Sequence, residues 1–233
     1  VEYDPSAQAP RWERFLQRVF DSDQELIYYI QRATGYALTG ITREEVFFLL
    51  YGTGRNGKTT FIETIRAMLG DYAKQTDFKT FIVKEDSGPR EDIASLVGAR
   101  FVSATEVESG KQLAEVVVKQ LTGRDSIRAR KLYKNGFEFT PLFKLFLAAN
   151  HKPIIRETTA AMWERVHLVP FTQTIPAEER DIGLRDKLRA ELPGILTWAV
   201  EGCRTWQQQG LCPPSIVLSE TESYRGEMDT LAG

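Results

Sequence analysis

The strongest chemical signal is a run of nine residues, Gly52, Thr53, Gly54, Arg55, Asn56, Gly57, Lys58, Thr59 and Thr60, directly after the apolar stretch 46–51. This run fits GxxxxGK[ST]. The glycines let successive amides turn into one concavity at the start of a helix, which is a cradle for a polyphosphate. In such a loop Lys58 reaches the β and γ phosphates of a nucleotide and the Thr59 hydroxyl sits on Mg²⁺. Three further positions could do related chemistry. Glu106, just past the apolar stretch 99–104, can orient water and support the metal from a strand end. A strand end solvated by Glu106 and Glu108 ahead of a helix over 111–121 would carry the same acids. Asn150 ends the run LFLAA and can hydrogen-bond an attacking water or the γ phosphate. Arg165 precedes VHLVPF and can neutralise charge on a transferring phosphate, although a surface arginine reads the same way by composition.

These residues need elements to hold them, and the pattern supplies those. VFFLLY is apolar without helical spacing, as a strand buried on both faces should be. After the loop, Phe61, Ile62, Ile65, Met68 and Leu69 form one helical stripe, closed by Gly70. The stretches 99–104, 145–149 and 166–171 read as further strands, with a shorter one over 72–76 and a helical turn or two over 92–97.

Between them lies a basic segment. SIRARKLY, then Lys134, Asn135 and Gly136, then FEFTPLF, alternates on both sides of an Asn-Gly pair, which predicts a hairpin with a type I′ turn at Asn135-Gly136. Five basic residues fall between 124 and 134 (Arg124, Arg128, Arg130, Lys131 and Lys134) against one acid, Asp125. Arg130, Lys131 and Lys134 could follow a phosphate backbone. An edge hairpin protected by lysines would look similar.

At the ends the pattern is helical. Trp12, Phe15, Leu16, Val19 and Phe20 predict one helix, and Ser22 with Glu25 is spaced as a capping box for a second that runs to Gly35. The stretch 178–209 reads as helix interrupted by Pro193 and Gly194, and 215–233 as a last helix. The organisation expected is a helical segment over 1–40, an α/β phosphate-loop core with a mainly parallel sheet over 41–172, and a helical segment over 173–233.

Bulk properties narrow the class. With 30 basic and 32 acidic residues the net charge is -2, so any nucleic-acid surface must be local. Apolar runs are strand-sized, which excludes a membrane helix of roughly 20 residues. Two cysteines, with no CxxC and no paired histidines, indicate neither a disulfide framework nor a zinc site. A start at Val1 points to a fragment of a longer chain.

The order of these motifs resembles the superfamily III helicases, a branch of the AAA+ ATPases. KQLTGRDSIRARKLY, FKLFLAANHKPII and MWERVHLVPF are similar to the C-terminal helicase domain of phage and plasmid primases, over residues 45–230. The resemblance implies that residues 52–60 are the Walker A loop and Glu106 the Walker B acid. It implies that Asn150 is the sensor 1 residue and that Arg165 is an arginine finger entering a neighbouring subunit's site. Lys134 falls where the family contacts single-stranded DNA in the channel of a hexamer. Thr105 stands where many such ATPases carry a metal-supporting Asp, and Glu164 replaces an arginine often found beside the finger. The expectation is an ATP- and Mg²⁺-dependent DNA helicase forming a homo-oligomeric, hexameric ring, cytoplasmic and encoded by a phage, plasmid or mobile element; whether a primase domain stands upstream in the parent chain is left open. A small-molecule kinase or a non-catalytic, ATP-gated DNA-binding module are the competing readings.

Overall fold

The computed structural model describes residues 1–84, 90–105, 109–130, 135–157 and 159–232. In chain order, two helices, α1 (Pro10–Val19) and α2 (Gln24–Ala37), precede β1 (Phe47–Tyr51) and α3 (Lys58–Leu69). Next come β2 (Ala73–Gln75), α4 (Glu91–Ala94), β3 (Phe101–Thr105) and α5 (Glu115–Thr122). The hairpin β4 (Ile127–Arg130) and β5 (Gly136–Phe139) follows, then β6 (Lys144–Ala149), α6 (Ala160–Trp163) and β7 (Val166–Pro170). The chain closes with α7 (Leu184–Arg189), α8 (Leu192–Gln209) and α9 (Ser215–Ala232).

Five strands form one sheet in the order β2-β3-β6-β1-β7, and every pair in it is parallel. Strict alternation explains why these runs read as continuously apolar. Phe48, Leu50, Phe101, Phe146 and Val169 enter a core on one face; Phe47, Leu49, Val102, Leu145 and Leu168 enter a second core on the other. Both faces of a parallel sheet must be covered, and here they are. α1, α2, α3, α7 and α8 contribute to the first core, α4, α5, α6 and the hairpin to the second, and α9 to both, through Val217 on one side and Tyr224 and Met228 on the other.

The terminal helices are therefore structural walls of the core. α2 and α8 approach so closely that a Cβ on Gly35 would lie 2.1 Å from the Cys203 nitrogen, and one on Gly202 would lie 2.1 Å from the Gln31 oxygen. Gly35 is thus a contact point inside α2, which continues to Ala37, and not the helix stop that its type predicts. α2 also opens one residue later than the capping-box reading: Asp23 is the N-cap and accepts from the Leu26 amide at 3.0 Å, while Ser22 sits at φ +58°. In the 178–209 stretch the helical run is divided, and Pro193 and Gly194 lie in the first turn of α8, where a proline costs no hydrogen bond.

Two other expectations shift. The helix expected over 111–121 begins only at Glu115, because Gln112 and Leu113 are bridged to Ile154 and Ile82. The hairpin forms, but Arg130 pairs with Gly136 and Ile127 with Phe139. Gly136 lies in β5, paired with Arg130, so it is a strand residue and not the second turn residue expected; residues 131–134 lie outside the described residues.

Candidate functional site

Parallel strands place all their carboxyl ends on one edge, and the candidate residues follow from that. Tyr51 pairs with Ala149 and with Pro170, while Thr105 pairs with Ala148. The loop that starts at Gly52 and the polar residue Asn150 therefore leave the sheet side by side, joined where the Gly52 amide donates to the Ala149 carbonyl at 3.3 Å. Asn150 is exposed there. Glu106 directly follows Thr105 in the chain but lies outside the described residues, as do Lys131 and Lys134.

The loop is shaped by its glycines at three points. Gly54 has φ +106° and Gly57 has φ +86°, conformations that side chains resist, and Arg55 shares the left-handed region at φ +54°. Gly52 is required for a different reason: a Cβ there would lie 2.1 Å from Asn56 Nδ2 and 2.3 Å from the Phe171 carbonyl oxygen. α3 starts at Lys58 with Gly57 as its N-cap and no side-chain cap, so the helix offers its first amides to an anion. Thr59 is exposed at that first turn and Thr60 is half-buried.

Lys58 is only 6% exposed. Its Nζ donates to the Gly52 carbonyl at 2.6 Å and to Asn56 Oδ1 at 2.9 Å, and Asn56 Nδ2 donates in turn to the Phe171 carbonyl at 2.9 Å. Burial pulls the ammonium down to a pKa of about 8. Asn56 thereby ties the loop lysine to the residue that follows β7, a positioning role that the motif alone does not reveal.

α1 forms a wall of this loop. Val19 Cγ1 and Phe15 Cε2 would meet a Cβ on Gly57 at 2.5 and 3.1 Å, and Trp12 stacks on Phe61 of α3 at 5.6 Å between centroids. Between α1 and the 175–187 segment opens a cleft of about 840 Å³ that reaches Gly57 and Thr60. Arg11, Arg14, Arg18, Arg55, Arg180 and Arg185 line it. Arg18 bridges it to Glu179 at 2.8 Å, and the Ile175 amide donates to the Arg55 carbonyl at 2.9 Å, which fastens the far wall to the loop itself. Arg55 belongs to the loop motif read from the sequence, whereas the other five arginines were not among the sequence candidates. The signal was present in part, since 11, 14 and 18 share one face of α1, but 180 and 185 join them only through the fold.

Arg165 lies at the opposite edge. It directly precedes β7, whose first residue pairs with Phe47, so about six residues of strand, roughly 20 Å, separate it from Gly52. Its Nη2 donates to Glu45 Oε2 at 2.9 Å and its Nη1 to the Ala161 carbonyl at 3.0 Å. The structure brings the loop and Asn150 together and keeps Arg165 away from both. Arg130 is exposed on β4, beside Arg128.

No group of three metal-capable side chains occurs among the described residues, and none of their helices is long and apolar enough to cross a membrane. Cys203 and Cys212 are free thiols.

Residues 50–165 match a family model described as a family of unknown function (DUF5906). The chain is 28% identical to the putative helicase L207/L206 of Acanthamoeba polyphaga mimivirus and 30% identical to the putative helicase 022R of Frog virus 3. Each match covers 92% of this chain and 24% of the relative, so the chain spans about a quarter of the length of these proteins. Among solved structures, the C-terminal region of NrS-1 superposes with a TM-score of 0.68 at 10% identity, covering 92% of this chain and 53% of that one. The mainly parallel α/β sheet with flanking helices is thus a fold shared with that region.

Proposed function

We propose that this chain is the ATP-hydrolysing helicase domain of a replication protein of the superfamily III type, working on single-stranded DNA as a homo-oligomeric ring. The observation that carries the reading is the split arrangement on one sheet: a phosphate loop with a buried lysine on the carboxyl edge, and an arginine some 20 Å away on the other edge. Neither half reaches the other within one subunit. A head-to-tail ring brings Arg165 of each subunit toward the loop of the next, and such heterologous contacts close into rings. The similarity to viral putative helicases supports the helicase reading.

In this reading the amides of 54–59 cradle the polyphosphate and Lys58 exchanges its hold on the Gly52 carbonyl for the β and γ oxygens. Glu106 orients the attacking water, Asn150 hydrogen-bonds the water or the γ phosphate, and a neighbour's Arg165 neutralises the charge that develops on transfer. The loop residues fit a bound metal, since the Thr59 hydroxyl is free at the helix start; Mg²⁺, held by Thr59 and supported through Glu106, would supply charge neutralisation at the phosphates. The nucleoside half of ATP would lie in the arginine-lined cleft against α1. Arg130, Lys131 and Lys134 on the hairpin would follow the DNA backbone. A hexameric ring, an upstream primase domain in the parent chain, and a phage, plasmid or viral origin complete the proposal.

ATP turnover with and without single-stranded DNA, together with the mass in solution with and without nucleotide, tests this. Stimulated turnover by a ring supports it. A kinase would remain monomeric and indifferent to DNA, and a non-catalytic module would bind DNA without turnover; either result rejects the proposal.

A further inference from the structure

Glu45 stands at an unusual junction. It is a non-glycine residue at φ +55°, closing a turn in which its amide donates to the Thr42 carbonyl at 3.1 Å just before β1. That left-handed conformation disfavours a side chain with a Cβ, so the residue is there at a conformational cost. Its carboxylate is used twice. Oε2 holds Arg165 Nη2 at 2.9 Å, and Oε1 holds Arg124 Nε at 2.9 Å. Arg124 lies three residues before β4, at the root of the basic hairpin, and its Nη2 also donates to the Arg43 carbonyl at 2.8 Å. Arg165 Nε, by contrast, is buried with no partner among the described residues.

We propose that Glu45 is a positioning residue that keeps Arg165 in reserve within its own subunit, and that Arg124 loosens this hold by drawing on the same carboxylate. The inference rests on the reading of Arg165 as the residue that completes a neighbour's site. Two cations on one carboxylate each weaken the other's attraction, and Arg165 is incompletely satisfied where it lies. The grip on Arg165 is therefore set by where the hairpin root stands. DNA held by the hairpin thus acts on the arginine through one shared side chain.

The sign of this coupling makes it testable on the assembled protein. Arg124→Ala leaves Glu45 with a single partner, so Arg165 is held more firmly and DNA-stimulated kcat falls by about three-fold, the scale of one partly exposed ion pair. KM for ATP stays within two-fold, because the loop lies at the opposite edge of the sheet. Adding Glu45→Gln to Arg124→Ala removes the hold and restores kcat to the wild-type value or above. Glu45→Gly in the same background should restore it too; it deletes the carboxylate while relieving the positive φ, so the test survives if the glutamine variant folds poorly. If neither double variant turns over faster than Arg124→Ala while Arg165→Ala remains inactive, the role of Glu45 is refuted and the trans reading stands. If Arg165→Ala turns over like wild type, the trans reading fails and takes this inference with it.

Discussion

Raising the pH should weaken nucleotide binding through one identifiable side chain. Lys58 is enclosed, with its ammonium directed at the Gly52 carbonyl and Asn56 Oδ1, and burial brings its pKa from 10.5 to about 8. A polyphosphate in the loop favours the charged form and moves the pKa back toward 10.5 or above. The pKa is then lower in the empty site than in the loaded one, so binding takes up a proton at any pH between the two values. Below pH 8 the lysine is already charged and affinity is level. Above pH 8 affinity falls by up to ten-fold per pH unit, so binding at pH 9 should be about ten-fold weaker than at pH 7, some 1.4 kcal/mol. A fluorescent ATP analogue titrated from pH 7 to 9.5 measures this, and calorimetry in two buffers of different ionisation enthalpy counts the proton. Lys58→Arg, always charged, should give a flat profile. A wild-type affinity that changes less than two-fold between pH 7 and 9 would refute the link between burial, the lysine charge and phosphate binding.

Gly202→Ala should force α2 and α8 apart and cost about 1–3 kcal/mol, read as a fall in Tm of about 2–4 °C per kcal/mol. His167 is half-buried, and desolvation of its ring lowers its pKa to about 4, with the Tyr29 hydroxyl 2.5 Å from its Nδ1. Its folded pKa lies below the unfolded 6.5, so stability is full above pH 6.5 and is lost as pH falls toward 4, by about 3 kcal/mol. Urea titrations of His167→Gln should lack that acid limb. Lys134→Ala should weaken single-stranded DNA binding without base preference and lower the salt slope by about 0.7, with basal ATP turnover retained; an unchanged slope returns the hairpin to a structural role.

Local signals were legible wherever one physical requirement dominated. Buried parallel strands must be apolar on both faces, so 46–51 and 145–149 stood out, and Gly54 and Gly57 marked two of the loop's three positive-φ positions, the third being Arg55. Gly35 misled because packing against α8 uses the same lack of a Cβ that a helix stop would use. Asn135-Gly136 misled because the pairing of Ile127 with Phe139 and of Ala129 with Phe137 fixes the register by burial, and that overrides a favourable turn pair. The arginine-lined cleft and the Glu45 junction were invisible for a third reason. Both are made by residues far apart in sequence, 11 with 185 and 45 with 124 and 165, and no periodicity encodes such meetings.

The central claim is that each catalytic centre is shared between two subunits, and mixing addresses it most directly. Lys58→Ala and Arg165→Ala should each be inactive in ATP hydrolysis. Co-assembled in equal amounts they should recover about a quarter of wild-type turnover, because random head-to-tail neighbours pair an intact loop with an intact Arg165 at that frequency. Mixed rings of confirmed composition that stay as inactive as either parent would contradict the account.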